Sequence, residues 1–354
     1  MYLISISLDN FRSYKKKKFH FSPNLSIIIG PNASGKTNLL EAIFLLAIGK
    51  SFRTDETHDM ISEAQEVGRV KGEVKTKDKD VTLEVMLTRG QVGSIPTPYK
   101  KYMENGISKR LVDFAGILRA TLFWPEDLEL IIGSPVRRRR YMDFVLMQID
   151  REYRRSLLSY EKGLRQRNKL LELIREGKAG RGQLIFWNQL LIKNGDYIAG
   201  KREELLEFMN RESAKDFDIG RFQLTYDRSV ISTLRLEQYA QEEIVSGSTL
   251  VGPHRDDFFF EILEGEKPRN LHHFGSRGEQ RLGILWMKLA ELHFIKANTL
   301  ESPLLILDDI FSELDHKHRE IIFDIIGNQQ TIITTTDEHF IGKKHTKDGT
   351  IITL

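Results

Sequence analysis

The octapeptide Gly30-Pro31-Asn32-Ala33-Ser34-Gly35-Lys36-Thr37 fits G-x-x-x-x-G-K-[ST] at every fixed position. It follows the apolar run Leu25-Ser-Ile-Ile-Ile29 and precedes Leu39, Leu40, Ile43, Phe44 and Ala47, which recur at helical spacing. No other stretch constrains the chain so tightly. It demands a buried strand, a loop wrapped with its N–H groups inward, and a helix N-terminus aimed at the loop. Such a loop binds phosphate. Lys36 would reach the outer phosphates, and Thr37 would offer its hydroxyl to Mg²⁺.

A phosphate loop of this kind needs a second acid at the end of a neighbouring strand. Leu304-Leu-Ile-Leu-Asp308-Asp309 supplies one, and its four apolar residues read as a strand buried on both faces. Asp308 would hold Mg²⁺ and Asp309 would polarise an attacking water. Taken alone, the two aspartates could equally cap the following helix. Upstream, Phe274-Gly-Ser276-Arg-Gly278-Glu-Gln280 opens a long apolar helix. Small residues there form either an anion-binding nest or an ordinary N-cap. One nucleotide has no need of a second helix N-terminus from the same chain, so a nest would serve the phosphate of a neighbouring molecule.

Around these motifs the pattern alternates between strand and helix. The first ~120 residues read as strands around one helix, with Tyr2, Ile4, Ile6 and Leu8 alternating, and Val81, Leu83, Val85 and Leu87 doing so again. Lys15–Lys18 is expected at a hairpin turn. After Pro125 the period becomes helical: Tyr141 to Ile174 forms one amphipathic arm, Gly177–Gly182 breaks it, and Leu184 to about Met209 forms a second, ~40 Å long. The interval from Lys36 to Asp308 is too long for one compact head, and this hairpin fills it. The expected architecture is α/β: a head in two pieces, 1–124 and 249–354, with a helical lid inserted at 125–248.

The net charge of +3 is a sum of opposites. Arg137 to Arg181 carries 14 Lys/Arg against 6 Asp/Glu, a local +8 that leaves the rest of the chain at −5. The excess falls on the lid. Arg137, Arg138, Arg139, Arg140, Arg154 and Arg155 are candidate contacts to nucleic-acid phosphates. No base-reading module accompanies them, so binding would have little sequence preference. Much of the cluster would also suit a solvated helix face. The chain has no Cys, which excludes disulfides, Fe–S clusters and thiolate chemistry. No run approaches the ~20 apolar residues of a membrane span. The first residues lack the features of a secretory signal, and a cytoplasmic location is the default expectation.

The order of P-loop, Ser276-x-Gly278-x-Gln280, Leu-Asp308-Asp309 and Ser312-Glu-Leu-Asp315 resembles the ABC-type ATPase heads. Leu8-Asp-Asn-Phe-Arg12-Ser-Tyr14 looks like the entry strand of the SMC and RecF branch. Gly49-Lys-Ser-Phe-Arg53-Thr54, Pro125-Glu-Asp127 with Gly133–Arg140, and Gly252-Pro-His254-Arg255-Asp-Asp257 are similar to the RecF family of recombination mediators. The resemblance covers almost the whole chain. It implies a bacterial DNA replication and repair ATPase that dimerises on ATP. It implies binding of DNA near single-strand/duplex junctions, and loading of RecA onto gapped DNA with RecO and RecR. ATP turnover would be slow and DNA-stimulated. The resemblance assigns Gly30–Thr37 to ATP and Mg²⁺, Asp308 to the Walker B acid and Asp309 to the catalytic carboxylate. It assigns Arg12 to the nucleotide, Ser276 and Gly278 to a signature acting in trans, and Ser312 and Asp315 to the dimer-crossing D-loop. Asp309 stands where related heads carry Glu. The switch residue is Thr336 or Asp337, with His339 at the surface, and Pro125–Asp127 marks the Q-loop region. Arg53, His254 and Arg255 would contact nucleotide or the dimer partner. An ABC-transporter ATPase subunit is the alternative, and the basic hairpin argues against it. A small SMC-like structural protein is a third reading, disfavoured by the shortness of the hairpin.

Overall fold

The computed structural model describes residues 1–77, 79–216, 222–263, 267–312, 316–336 and 349–354, without the side chains of 212–216, 312, 316–318 and 324–325. The chain divides into two compact units. One joins Met1–Asp127 to Glu291–Leu354, and the other is Leu128–Ala290.

The first unit holds two sheets. Five strands form an all-parallel sheet in the order Ala120–Phe123, Leu304–Asp308, Thr331–Thr335, Leu25–Ile29, Gly349–Thr353. Leu304–Asp308 and Thr331–Thr335 are buried along their full length, as continuous apolar strands of a covered parallel sheet should be. Six strands form an antiparallel sheet in the order Tyr14–His20, Tyr2–Phe11, Val67–Lys75, Asp80–Thr88, Lys100–Glu104, Ile107–Lys109. Here burial alternates, most regularly along Val67–Lys75. The P-loop helix, Lys36–Ile48, touches strands of both sheets. That explains why it is buried almost all round rather than amphipathic. At Gly72 a Cβ would lie 2.6 Å from Leu46 Cδ1, so only glycine lets the helix approach the antiparallel sheet this closely. Lys15–Lys18 is not a turn. These lysines lie within the edge strand Tyr14–His20, and the turn is formed by Arg12 and Ser13.

In the second unit, helices Pro135–Ile149 and Leu184–Asp216 pack against a three-stranded antiparallel sheet made of Phe222–Asp227, Asp257–Ile262 and Arg269–Asn270, and helix Arg151–Arg175 packs on Leu184–Asp216. The first arm is broken at Asp150, whose extended backbone ends one helix and whose carboxylate accepts from Tyr153 N to cap the next. Gly163 does not kink the helix. Its missing side chain admits Leu190, which a Cβ would meet at 2.5 Å. The second arm has 33 residues, about 50 Å, and outruns the periodicity that ended near Met209. This unit also extends past 248. The Asp257 strand pairs with Phe222–Asp227, and the Gly252–Asp257 segment is bound to the helices by buried ion pairs. Among the described residues no helix is long and apolar enough to cross a membrane.

Candidate nucleotide site

The loop after Leu25–Ile29 closes with Ala33 at φ +63° and Gly35 at φ +105°. A Cβ on Gly35 would lie 2.8 Å from the Tyr14 hydroxyl, so glycine answers both a steric and a conformational demand. Tyr14 donates to Gly35 O at 3.2 Å, and burial pushes its pKa up to about 12. Lys36 is buried and donates to the carbonyls of Gly30 and Pro31 at 2.6 and 2.9 Å. Its ammonium is therefore held inside the ring of the loop. Among the described residues Ser34 Oγ is buried with no hydrogen-bond partner.

Asp308 ends its strand beside Thr37. The Thr37 hydroxyl donates to Oδ2 at 2.8 Å, and Thr334 from the neighbouring strand donates to Oδ1 at 2.6 Å. Parallel pairing of Leu304–Asp308 with Thr331–Thr335 sets Asp308 opposite Thr334. Asp309 takes φ +51°, and its N–H donates to Thr334 O at 3.2 Å. A hydroxyl and a carboxylate thus meet across the mouth of the loop, a hard oxygen pair that fits Mg²⁺. Thr334 was not singled out from the sequence. The only hint was its place in the run Thr334-Thr-Thr336 at a strand end.

These groups line a cavity of about 440 Å³, with walls from Asn32, Lys36, Thr37, Arg53, Asp308 and Asp309 among others. Pro125 and Glu126 stand on the same wall. Arg53 is placed there by its neighbours. Phe52 packs edge-on against Phe44 and Trp124, at 5.4 and 4.6 Å between ring centres, which pins the loop. Arg53 Nη1 donates to Asn38 Oδ1 at 2.9 Å and lies 3.3 Å from Glu41 Oε2.

Glu41 is the residue that sequence reasoning missed. It is fully buried in the P-loop helix. It accepts both arms of Arg12, at 2.8 and 2.7 Å, and the Ser51 hydroxyl. One acid inside Leu39-Leu-Glu-Ala-Ile43 was the available signal. The guanidinium of Arg12, expected at the nucleotide, is held by Glu41 and donates to Asp59 O at 2.7 Å.

In the other unit, Ser276 and Gly278 are exposed at the start of helix Arg277–Thr299, and Gln280 is buried on Leu271 O. Ser276 N–H donates to Glu279 Oε2 at 2.6 Å, and Glu279 N–H donates to Ser276 Oγ at 3.3 Å. This reciprocal capping box was legible as S-x-x-E. The backbone and side chain of Ser276, followed by Arg269, hold the Glu279 carboxyl below its usual pKa. Ser312 closes a short turn after the Asp308 strand. Its side chain, Asp315, Asp337 and His339 lie outside the described residues, and Thr336 is exposed.

The lid arginines split into two sets. Arg138 and Arg154, expected at DNA, are instead buried within their own unit. Arg138 is buried in a bidentate pair with Asp257, at 2.6 and 2.9 Å, and Arg154 is buried on Met147 O. Arg167 is likewise buried on Glu243, and Arg139 is half-buried on Asp256 O. Arg140 stacks over Phe144. Arg137 and Arg155 remain exposed. His254 and Arg255, expected at nucleotide or partner, sit in the Gly252–Asp257 segment, where Asp256 and Asp257 are buried and Arg255 is exposed. Asp256 binds Arg202 at 3.0 Å and the Tyr226 hydroxyl. His254 lies between Tyr160 and Thr249 O. A carbonyl can only accept, so His254 carries its proton on Nε2 and accepts the tyrosine proton at Nδ1.

Fold and site define the class: an ABC-type P-loop ATPase head with a helical insertion. The family described as the RecF/RecN/SMC N-terminal domain matches residues 2–352. The chain is 35% identical over 379 residues to the DNA replication and repair protein RecF of Bacillus cytotoxicus, covering 99% of this chain and 98% of that protein. It is 37% identical over 364 residues to the RecF of Herpetosiphon aurantiacus, covering 95% and 94%. Among solved structures, the recombination mediator protein RecF-ATP in the RecFOR pathway matches with TM-score 0.86 and 32% identity, covering 96% of this chain and 92% of that one. An SMC head bound to the C-winged helix domain of ScpA, at TM-score 0.52 and 17% identity, shares the fold alone. The chain therefore belongs to the RecF/RecN/SMC family, and within it to the RecF branch.

Proposed function

We propose that the protein binds ATP with Mg²⁺ in the P-loop cavity and closes as a homodimer on DNA at single-strand/duplex junctions. With RecO and RecR it helps load RecA onto gapped DNA in the cytoplasm. The observation that carries the nucleotide reading is the meeting of Lys36, Thr37 and Asp308 in one cavity. The names of its relatives, which link RecF to ATP, repair and the RecFOR pathway, support the rest. Gly30–Thr37 cradle the phosphates through backbone N–H groups, and Lys36 exchanges its loop carbonyls for phosphate oxygens. Thr37 and Asp308 would hold Mg²⁺, which neutralises charge on the phosphates when bound. Asp309 orients water. Its side chain is one methylene shorter than Glu, which suits slow hydrolysis used as a switch. Ser276 and Gly278 serve the partner's nucleotide, with Ser312 and Asp315 at the dimer seam. Of the lid cations, Arg137 and Arg155 are exposed for DNA.

The test is sedimentation with and without ATP and Mg²⁺. Wild type is expected to dimerise on ATP, and Lys36→Arg or Ser276→Arg to stay monomeric. A wild-type chain that remains monomeric with ATP, Mg²⁺ and DNA at low salt would overturn the mechanism.

A further inference from the structure

We propose that the outer face of the six-stranded antiparallel sheet is a docking surface for the nucleic-acid backbone. The inference rests on the DNA-binding reading above and moves its main contact from the lid to the head.

The register places the cations. On strand Tyr2–Phe11, Ser7 and Asp9 lie opposite Lys18 and Lys16 on one side, and opposite Lys71 and Arg69 on the other. Period-2 alternation puts all of these on one face, and the partner face carries the buried Leu8, Val70 and Val85. Lys16, Lys18, Arg69 and Lys71 therefore stand at the corners of a rectangle. Its sides are about 7 Å along the strands and about 10 Å across them. The row continues through Met86 to Lys101, and Lys75 extends the Arg69 strand. All six cations are exposed.

Four acids share the face. Glu73 lies 3.6 Å from Lys18, Glu84 lies 3.1 Å from Arg69, Asp80 stands opposite Lys75 in the register, and Asp9 sits at the centre, so six cations face four acids. Among the described residues Lys16, Lys71, Lys75 and Lys101 have no salt-bridge partner. Lysines on an edge strand do discourage edge-to-edge pairing. That accounts for Tyr14–His20, but not for Arg69, Lys71, Lys75 and Lys101, which stand on interior strands.

The occupant follows from charge and spacing. Each DNA strand carries one phosphate per about 3.4 Å of axis, so cations about 7 Å apart meet every second one. A flat sheet of flexible ammonium groups fits phosphates and reads no bases. The lid, by contrast, spends Arg138, Arg154, Arg167 and Arg202 on its own interior.

The experiment compares wild type with the triple variant Lys16→Gln, Lys71→Gln, Lys101→Gln, on gapped duplex with ATP and Mg²⁺ across a salt series. Among the described residues none of these three side chains has an ion-pair partner, and unchanged thermal unfolding and ATP-driven dimerisation will certify the fold. The variant is expected to bind at least tenfold more weakly at low salt. Its log–log salt slope should be shallower by about 3, near 0.9 per lost cation. The same positions changed to Arg should keep wild-type binding. A triple variant with wild-type affinity and slope overturns the surface and leaves the DNA-binding reading standing. A wild type that binds no DNA overturns both. Capture of wild type alone by phosphatidylserine vesicles would then assign the face to a membrane.

Discussion

Glu41 illustrates what one side chain can carry. It has no solvent exposure and holds Arg12, Arg53 and Ser51 together behind the nucleotide cavity. Removing one partner of a buried charge pair strands the other, at a typical loss of about 3–5 kcal/mol. Arg12 and Arg53 are partly exposed, so Glu41→Ala is expected near the lower figure. Urea unfolding will measure it, and a change under 1 kcal/mol would show that the pair is not structural. His254 gives a pH prediction. Burial pushes its pKa down to about 4, against 6.5 unfolded. The unfolded state then binds the extra proton first as pH falls. Its contribution is fully present above pH 6.5 and is lost progressively towards pH 4, by about 3 kcal/mol in total. His254→Asn should flatten that part of the stability-versus-pH curve, and an unchanged curve would sink the assignment. At this scale the P-loop and Asp308 were legible because their chemistry is local or motif-bound. Arg138 and Arg154 were not: burial of Arg138 depends on Asp257, a residue of a distant strand, and no spacing announces it.

Helix Leu184–Asp216 contains two glycines whose substitution by alanine should differ in sign. Gly200 has nothing within 4 Å of a Cβ position, whereas at Gly195 a Cβ would meet Ile231, Pro253 and Tyr160 at 2.8, 3.2 and 3.2 Å. Helix propensity alone favours alanine by about 1 kcal/mol. Gly200→Ala is expected to stabilise by roughly that amount. Gly195→Ala is expected to destabilise by about 1–3 kcal/mol, because overpacking against a proline ring outweighs propensity. Denaturation midpoints of the two variants moving the same way would refute the packing account. Periodicity showed that these helices exist. It did not show the break at Asp150, because the apolar stripe runs on across it and only the backbone there turns extended.

Two cores in one chain predict unfolding that is not two-state. Calorimetry should resolve two transitions. ADP, expected to bind the unit holding the P-loop, should raise one of them by mass action and leave the other. Asp256→Ala, which opens the Arg202 hub, should lower the other. A single transition shifted equally by both would contradict this division. The charge asymmetry also changes meaning at this scale. Much of the +8 stretch neutralises acids within its own unit, so net charge along the sequence is a poor map of charge at the surface.

The sequence by itself determined the phosphate loop, the acid at the end of Leu304–Asp308, the helical insertion and the family. Each rests on short-range spacing or on residue types that only one local geometry accommodates. Tertiary structure alone decided which arginines are buried, that Glu41 organises the site, that Thr334 braces Asp308, and that the lysine run forms an edge strand of a basic sheet. These depend on strand register and on partners far apart in the chain, where the cost of leaving a buried charge unpaired selects one arrangement.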